Sequence, residues 1–272
     1  MPLLAAPPPR QLQPFRPRRA PAASVAPAPV VASVPFHGRS LMEYVRFFDL
    51  EIEALRGRDV LDVAAGPSSF TAEACARRID AVAVDPMYRR PLADLTATVE
   101  SDYARVEADT QARRRQIRVR DCEAVHPDLP DAMVFGSLTE ALADRRLSAQ
   151  RFLADFETHC PHGRYVGAAL PFLPFFDRTF DLVLCAHLLF VEAARFDFEW
   201  HVAACRELVR VSDGEVRIHP LCGPEGRPYP KLPALRRELR AAGIASEVVA
   251  VNYEFFAGAD TMLKLRRAPT AA

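Results

Sequence analysis

The run VLDVAAGPSSF at residues 60–70 leads a strand-like apolar stretch into an acid, one glycine, a proline and two serines. A second apolar run, IDAVAVD, also ends in an acid, Asp85, 23 residues after Asp62, with SSFTAEACARR between the two. Neither run alternates apolar with polar residues, which is the pattern of parallel strands covered on both faces. The segment between them reads as a helix, so the three form a βαβ unit. A chain carrying such a unit folds as a sheet with helices wound over both faces. Ligands of these sheets bind beyond the carboxyl ends of the strands, which makes the turn after Asp62 the first place to look for chemistry.

The same alternation of elements frames the unit. RSLMEYVRFFDLEIEALRG predicts one helix before it, with Leu41, Tyr44, Val45, Phe48 and Ile52 at three- and four-residue steps and Gly57 as its stop. Residues 87–163 interrupt the strands. There, LADLTATVESDYARVEADT puts Leu92, Leu95, Val99, Tyr103 and Val106 on one stripe, Ser137 and Glu140 mark a capping box, and SAQRFLADF reads as a further helix. The expected arrangement is a helical insertion between strands 2 and 3 that caps one end of the sheet. RYVGAAL, FDLVLCA and EVRIHPL then read as strands, with FEWHVAACRELVRV and KLPALRRELRAAG as helices. SEVVAVNYEF and TMLKLRR have no helix between them and are expected to pair antiparallel.

Residues 1–35 carry ten of the 24 prolines, four arginines and no acid, so they are expected to form a disordered tail ahead of one α/β domain over residues 36–272. An acid-free, arginine-bearing start also fits an organelle transit peptide. Lys+Arg and Asp+Glu balance at 35 each, which gives no overall field for nucleic acid. ARRRQIRVR has no interleaved aromatics to stack bases, and reads as an exposed helix end. The six cysteines lack metal-like spacing. His159, Cys160 and His162 are neighbours on one stretch and do not make a metal site. No apolar run reaches a membrane-spanning length. The expectation is a cytoplasmic protein with reduced thiols, no membrane partner and no metal.

At the turn itself, Gly66 lets a ligand approach the backbone, and Ala64, Ala65 and Ser68 keep the surface small. Asp85 stands where an acid accepts hydrogen bonds from ribose hydroxyls. The dinucleotide fingerprint requires three glycines; only Gly66 is present, and Pro67 after it donates no N–H. An NAD-type oxidoreductase is the weaker alternative on that ground.

Taken together, VLDVAAGPSSF, AVAVDP and LPFFDRTFDLVLCAHLLF resemble the first, second and fourth-strand motifs of the class I S-adenosylmethionine-dependent methyltransferases. The segments GRS…EY, AAGPSSF, VDP and LCAHLLF look like a group of bacterial methyltransferase-like proteins. The resemblance covers residues 37–86 and 164–267. It implies a doubly wound seven-stranded sheet, six strands parallel and one antiparallel, with S-adenosyl-L-methionine as cofactor and a small-molecule acceptor. By position, Asp62 would lie near the methionine amino group, Ala64, Ala65 and Gly66 beneath the methionine and ribose, and Asp85 on the ribose hydroxyls. Pro86 and Met87 would flank the adenine, Ala169 and Leu170 would reach its edge, Cys185 would face the methionine, and Arg39 would pair with the cofactor carboxylate. His187 is the candidate general base. Ala64 and Ser68 stand where the family has glycines, and no acid stands near Ala168 and Ala169 for the adenine amino group. Each residue also has a plainer role: Asp62 as a turn cap, Arg39 as a solvated cation, His187 as a buried imidazole on a main-chain carbonyl. A binding protein that keeps the fold without turnover is the other alternative.

Overall fold

A computed structural model describes residues 36–119 and 134–268; the expected tail at residues 1–35 and part of the insertion lie outside them. Seven strands form one sheet, β1 (Asp59–Val63), β2 (Asp80–Val84), β3 (Tyr165–Val166), β4 (Phe180–Ala186), β5 (Ser212–His219), β6 (Ile244–Ala250) and β7 (Thr261–Arg267). Their order is β3-β2-β1-β4-β5-β7-β6. β7 runs antiparallel to both β5 and β6, and the other neighbours pair parallel. This is the expected mixed sheet of six parallel strands and one antiparallel.

Side chains alternate across the sheet as the pleat requires. Leu61, Val63, Val82, Val84, Val183, Ile218 and Leu265 face helices α5 (Phe198–Val211) and α6 (Leu232–Ala241), meeting Cys205, Leu208, Leu235 and Leu239. Val60, Ala81, Leu182, Leu184 and Met262 face the opposite layer, α1 (Leu41–Phe48) and α2 (Phe70–Ala76), through Tyr44, Phe47, Phe48, Phe70 and Ala74. Asp62 falls on this second face, among aromatics.

Between β2 and β3 the described residues hold α3 (Leu92–Ala112) and α4 (Leu138–His159). Leu95, Val99 and Tyr103 of α3 and Ala149, Phe152 and Phe156 of α4 pack with Phe36, Ala65, Tyr88 and Tyr165 in a separate aromatic cluster. The hydroxyl of Ser137 accepts from the Glu140 amide at 3.1 Å, so the capping box does start a helix.

Several boundaries differ from the sequence reading; β5 starts at Ser212, ahead of EVRIHPL, and β6 ends at Ala250 instead of running on to Phe255. The first helix ends at Phe48, because Asp49 adopts a left-handed φ of 51°, and only a short 3-10 turn at Ile52–Leu55 follows. The two helices expected at residues 137–142 and 148–156 are one, since no glycine or proline separates them. β3 is two residues long. Beyond it the Gly167 carbonyl accepts from the Arg89 side chain at 2.8 Å, and Ala169 bridges to Phe172.

Candidate functional site

The sheet order reverses between β1 and β4, the crevice where doubly wound folds bind ligands. The β1 end is built by two left-handed residues, Ala64 (φ 60°) and Gly66 (φ 54°), which swing the chain over before Ser69 starts α2. A Cβ at Gly66 would stand in van der Waals contact with the residues before α1, 3.8 Å from the His37 carbonyl oxygen and 3.9 Å from the Phe36 ring. Asp85, at the end of β2, binds this turn from below. One carboxylate oxygen accepts from the Gly66 amide at 3.1 Å and the other from the Met87 amide at 2.9 Å. Burial pushes its carboxyl up to about 6, against the pull of those two amides. Pro86 and Met87 lie in the 3-10 turn that Asp85 caps.

Asp62 is wholly buried, and the Tyr44 hydroxyl sits 3.0 Å from each of its oxygens. Burial raises its carboxyl well above the usual range, with the Tyr44 hydrogen bond opposing the shift. Tyr44 in turn stacks on Phe70 at 4.4 Å. Asp62 thus ties α1 to β1. Cys185, beside Val63 in the β1–β4 pairing, is buried, and burial raises its thiol. Tyr88 closes the adjacent space. Its hydroxyl donates to the Gly66 carbonyl at 2.5 Å, and its ring stacks on Phe152 at 5.4 Å.

A strap formed by residues 36–40 crosses the turn. The Phe36 amide donates to Asp102 of α3 at 2.7 Å. The Arg39 carbonyl accepts from the Ser69 amide, the Ser68 hydroxyl and the Ser148 hydroxyl, at 3.1, 2.8 and 2.7 Å. Gly38 is pressed between α4 and the turn: a Cβ there would stand 2.8 Å from the Pro67 carbonyl oxygen and 2.9 Å from that of Arg145.

Next to the strap lies a buried polar cluster. Arg145 of α4 meets Glu43 of α1 at 2.8 Å, and the Tyr253 hydroxyl donates to the same Glu43 at 2.6 Å. The Arg145 guanidinium also lies 3.8 Å from the Phe255 ring. The Arg39 guanidinium, by contrast, has no hydrogen bond or ion pair with a described residue, and its Nη1 is fully covered. His187 ends β4 with a left-handed φ of 54°. Its amide donates to the His219 carbonyl at 2.7 Å, and its Nδ1 is covered without a partner. Burial first, then the charges of Arg39, His219 and Arg145, hold its pKa well below the ordinary histidine value, so the ring is neutral. His219 packs flat on Phe47 at 4.9 Å and lies 5.5 Å from His187, with its own pKa lowered to about 3 by burial.

The structure therefore brings Arg39, Asp62, Ala64, Ala65, Gly66, Asp85, Cys185 and His187 to the carboxyl edge of the sheet. Ala169 and Leu170 stand at the β3 exit, beyond the Gly167 carbonyl held by Arg89. Sequence reasoning missed His37, Arg145, His219 and Tyr253, and gave Glu43 and Tyr44 no role beyond the GRS…EY resemblance and, for Tyr44, the apolar stripe. A buried tyrosine needs a partner for its hydroxyl, which was the one available signal. Among the described residues no group of three or more histidine, cysteine or acidic side chains could hold a metal, and no helix is long and apolar enough to cross a membrane. Cys75, Cys185, Cys205 and Cys222 form no disulfide.

The fold thus defines a doubly wound α/β protein whose strand order reverses between β1 and β4. No family model matches the chain. It is 26% identical over 230 residues to an uncharacterized protein of Methanocaldococcus jannaschii, covering 85% of this chain and 95% of that one. Among solved structures it is similar to a TehB-like SAM-dependent methyltransferase from Corynebacterium glutamicum, with a TM-score of 0.42, 14% identity, and coverage of 81% of this chain and 85% of the other. It is also similar to the Burkholderia thailandensis 1,6-didemethyltoxoflavin-N1-methyltransferase bound to its substrate and S-adenosylhomocysteine, with a TM-score of 0.43, 16% identity, and coverage of 84% and 79%.

Proposed function

We propose that the protein is an S-adenosylmethionine-dependent methyltransferase acting on a small-molecule acceptor. The observation that carries this reading is Asp85, a buried acid that ends β2 and holds the amide of the only glycine in the β1 turn. Each oxygen of Asp85 spends one lone pair on a backbone amide, which leaves acceptor capacity for two ribose hydroxyls. Gly66 is half-buried and carries no side chain to bar a nucleoside from the turn, so the residues present suit the cofactor. A lone glycine followed by Pro67 suits a pyrophosphate poorly, which disfavours NAD.

S-adenosylmethionine supplies a methyl group made electrophilic by its sulfonium. The protein's own residues do the rest. Asp85 orients the ribose, Ala64, Ala65 and Gly66 let the ligand approach the backbone, and Pro86, Met87, Ala169 and Leu170 flank the base. Cys185 contributes an apolar wall beside the methionine, and His187 receives a proton where the acceptor has one to lose. Closing the strap over the turn excludes water and holds the acceptor in line, which is the main catalytic requirement of such a displacement. Asp62 acts through Tyr44, which it holds against the turn.

Calorimetric titration with S-adenosylhomocysteine, NAD and ATP tests the reading, repeated on Asp85→Ala. Saturable binding of the first alone, lost in the variant, is the expected result; binding of NAD instead overturns it. A second reading, a cofactor-binding protein without turnover, is favoured by the Tyr44 and Tyr88 hydroxyls, which occupy Asp62 and the Gly66 carbonyl. Binding of S-adenosylhomocysteine with no label transfer from methyl-labelled cofactor across a broad acceptor panel would select it.

A further inference from the structure

The polar atoms left without partners beside the strap specify a ligand of their own. Arginine stays protonated in proteins, yet the half-buried Arg39 has a fully covered Nη1 with no hydrogen-bond partner and no ion pair of its own among the described residues, because the nearby Glu43 is paired directly with Arg145. Both ring nitrogens of His37 and Nδ1 of His187 are covered and partnerless as well. A neutral imidazole has one donor and one acceptor nitrogen. An anion therefore satisfies Arg39 and the donor side of His37, but the lone-pair nitrogen of His37 still requires an O–H or N–H. One carboxylate, whatever its source, leaves that nitrogen orphaned.

We propose that His37, Arg39 and His187 form the acceptor's recognition site, and that the acceptor is a small protic carboxylate, an organic acid that also carries the O–H or N–H to be methylated. The proposal rests on the methyltransferase reading above and departs from the sequence expectation that Arg39 serves the cofactor carboxylate. His37 and Arg39 sit on the strap over the β1 turn, and His187, at the end of β4, lies near enough to feel both of them. Burial, with the charges on Arg39 and Arg145, keeps both imidazoles neutral. In the reaction, the acceptor's oxygen or nitrogen lone pair bonds to the methyl carbon as the carbon–sulfur bond breaks, with that electron pair remaining on sulfur. The acceptor's proton passes to His187 and from there to water, and nothing is oxidised or reduced.

The test is calorimetry on the full chain saturated with S-adenosylhomocysteine, using 3-hydroxybenzoate, 3-aminobenzoate, benzoate and phenol as probes. The two protic carboxylates should bind at least about tenfold more tightly than the other two, and Arg39→Gln should remove that binding by a similar factor. Arg39→Lys should fall between, which separates lost charge from a misfolded strap, and His37→Phe should erase the preference for 3-hydroxybenzoate over benzoate. Equal binding of all four probes, or of none, overturns the proposal. The source of the anion is read from the ratio of affinities for S-adenosylhomocysteine and 5′-methylthioadenosine, which lacks the carboxylate. An unchanged ratio in Arg39→Gln supports the acceptor; a collapsed ratio assigns Arg39 to the cofactor and overturns the proposal. If S-adenosylhomocysteine does not bind at all, methyl transfer is what fails. Arg39-dependent binding of the benzoates alone then still supports the carboxylate site.

Discussion

Replacing Asp85 by asparagine should stabilise the protein at neutral pH while depriving it of its cofactor. The Asp85 carboxyl titrates at about 6 in the fold and at 3.8 in a free side chain, because burial outweighs the two amides that favour its charge. Between those values the native state holds a proton that the unfolded chain has released. Stability from this group is therefore lost as pH rises from about 4 to 6, and stays level above that. Roughly two pKa units correspond to about 3 kcal/mol at pH 7. Asparagine removes that penalty but accepts through a single oxygen, so either the Gly66 or the Met87 amide loses its partner, at a cost of about 1 kcal/mol. The net expectation is a gain of about 1–2 kcal/mol at pH 7, or a Tm rise of about 2–8 °C, turning into a small loss near pH 4, where the ionisation penalty falls below the cost of the lost acceptor. Urea unfolding of both proteins at half-unit steps from pH 4 to 7.5 measures it directly. Curves that run parallel across this window would refute the reasoning, because they would mean that Asp85 carries no ionisation penalty in the fold. The same variant should bind S-adenosylhomocysteine at least about tenfold more weakly, having lost a charged acceptor for the ribose.

Glu43→Gln strands the buried Arg145 charge and should cost about 3–5 kcal/mol, whereas the pair Glu43→Leu with Arg145→Met should recover most of it; denaturant melts of the three proteins show whether it does. Tyr44→Phe removes the one side-chain hydrogen bond to Asp62 among the described residues, at an expected cost of about 1–3 kcal/mol, and unchanged stability would mean that Asp62 finds another donor. Gly38→Ala forces a methyl against backbone atoms of both α4 and the turn and should cost about 1–3 kcal/mol. Hydrogen exchange at Ser69, whose amide is bonded to the strap, should accelerate in the same variant.

Much of the sheet was legible residue by residue. Val60 to Val63 and Ala81 to Val84 read as parallel strands because burial on both faces leaves a largely apolar run without alternation, and the antiparallel end was visible because SEVVAVNYEF and TMLKLRR lack an intervening helix. The break at Asp49 was not legible, since the apolar stripe continues through Ile52 while the backbone turns left-handed. Asp62, Gly66 and Asp85 could be nominated from spacing alone, but nothing local showed that Tyr44 would cover the first or that Tyr88 would reach the Gly66 carbonyl.

The sequence by itself determined the order of strands and helices, their buried faces and the acids at the ends of β1 and β2, because each depends on periodicity or spacing within a short window. Only the tertiary structure decided which polar groups meet. Glu43 and Arg145 are 102 residues apart, and Glu43 and Tyr253 are 210 apart. No local pattern encodes such pairs: they exist because the crossing of the chain brings α1, α4 and the segment after β6 to one edge of the sheet. The same crossing spends Glu43 on Arg145 and leaves the covered Nη1 of Arg39 without a hydrogen bond.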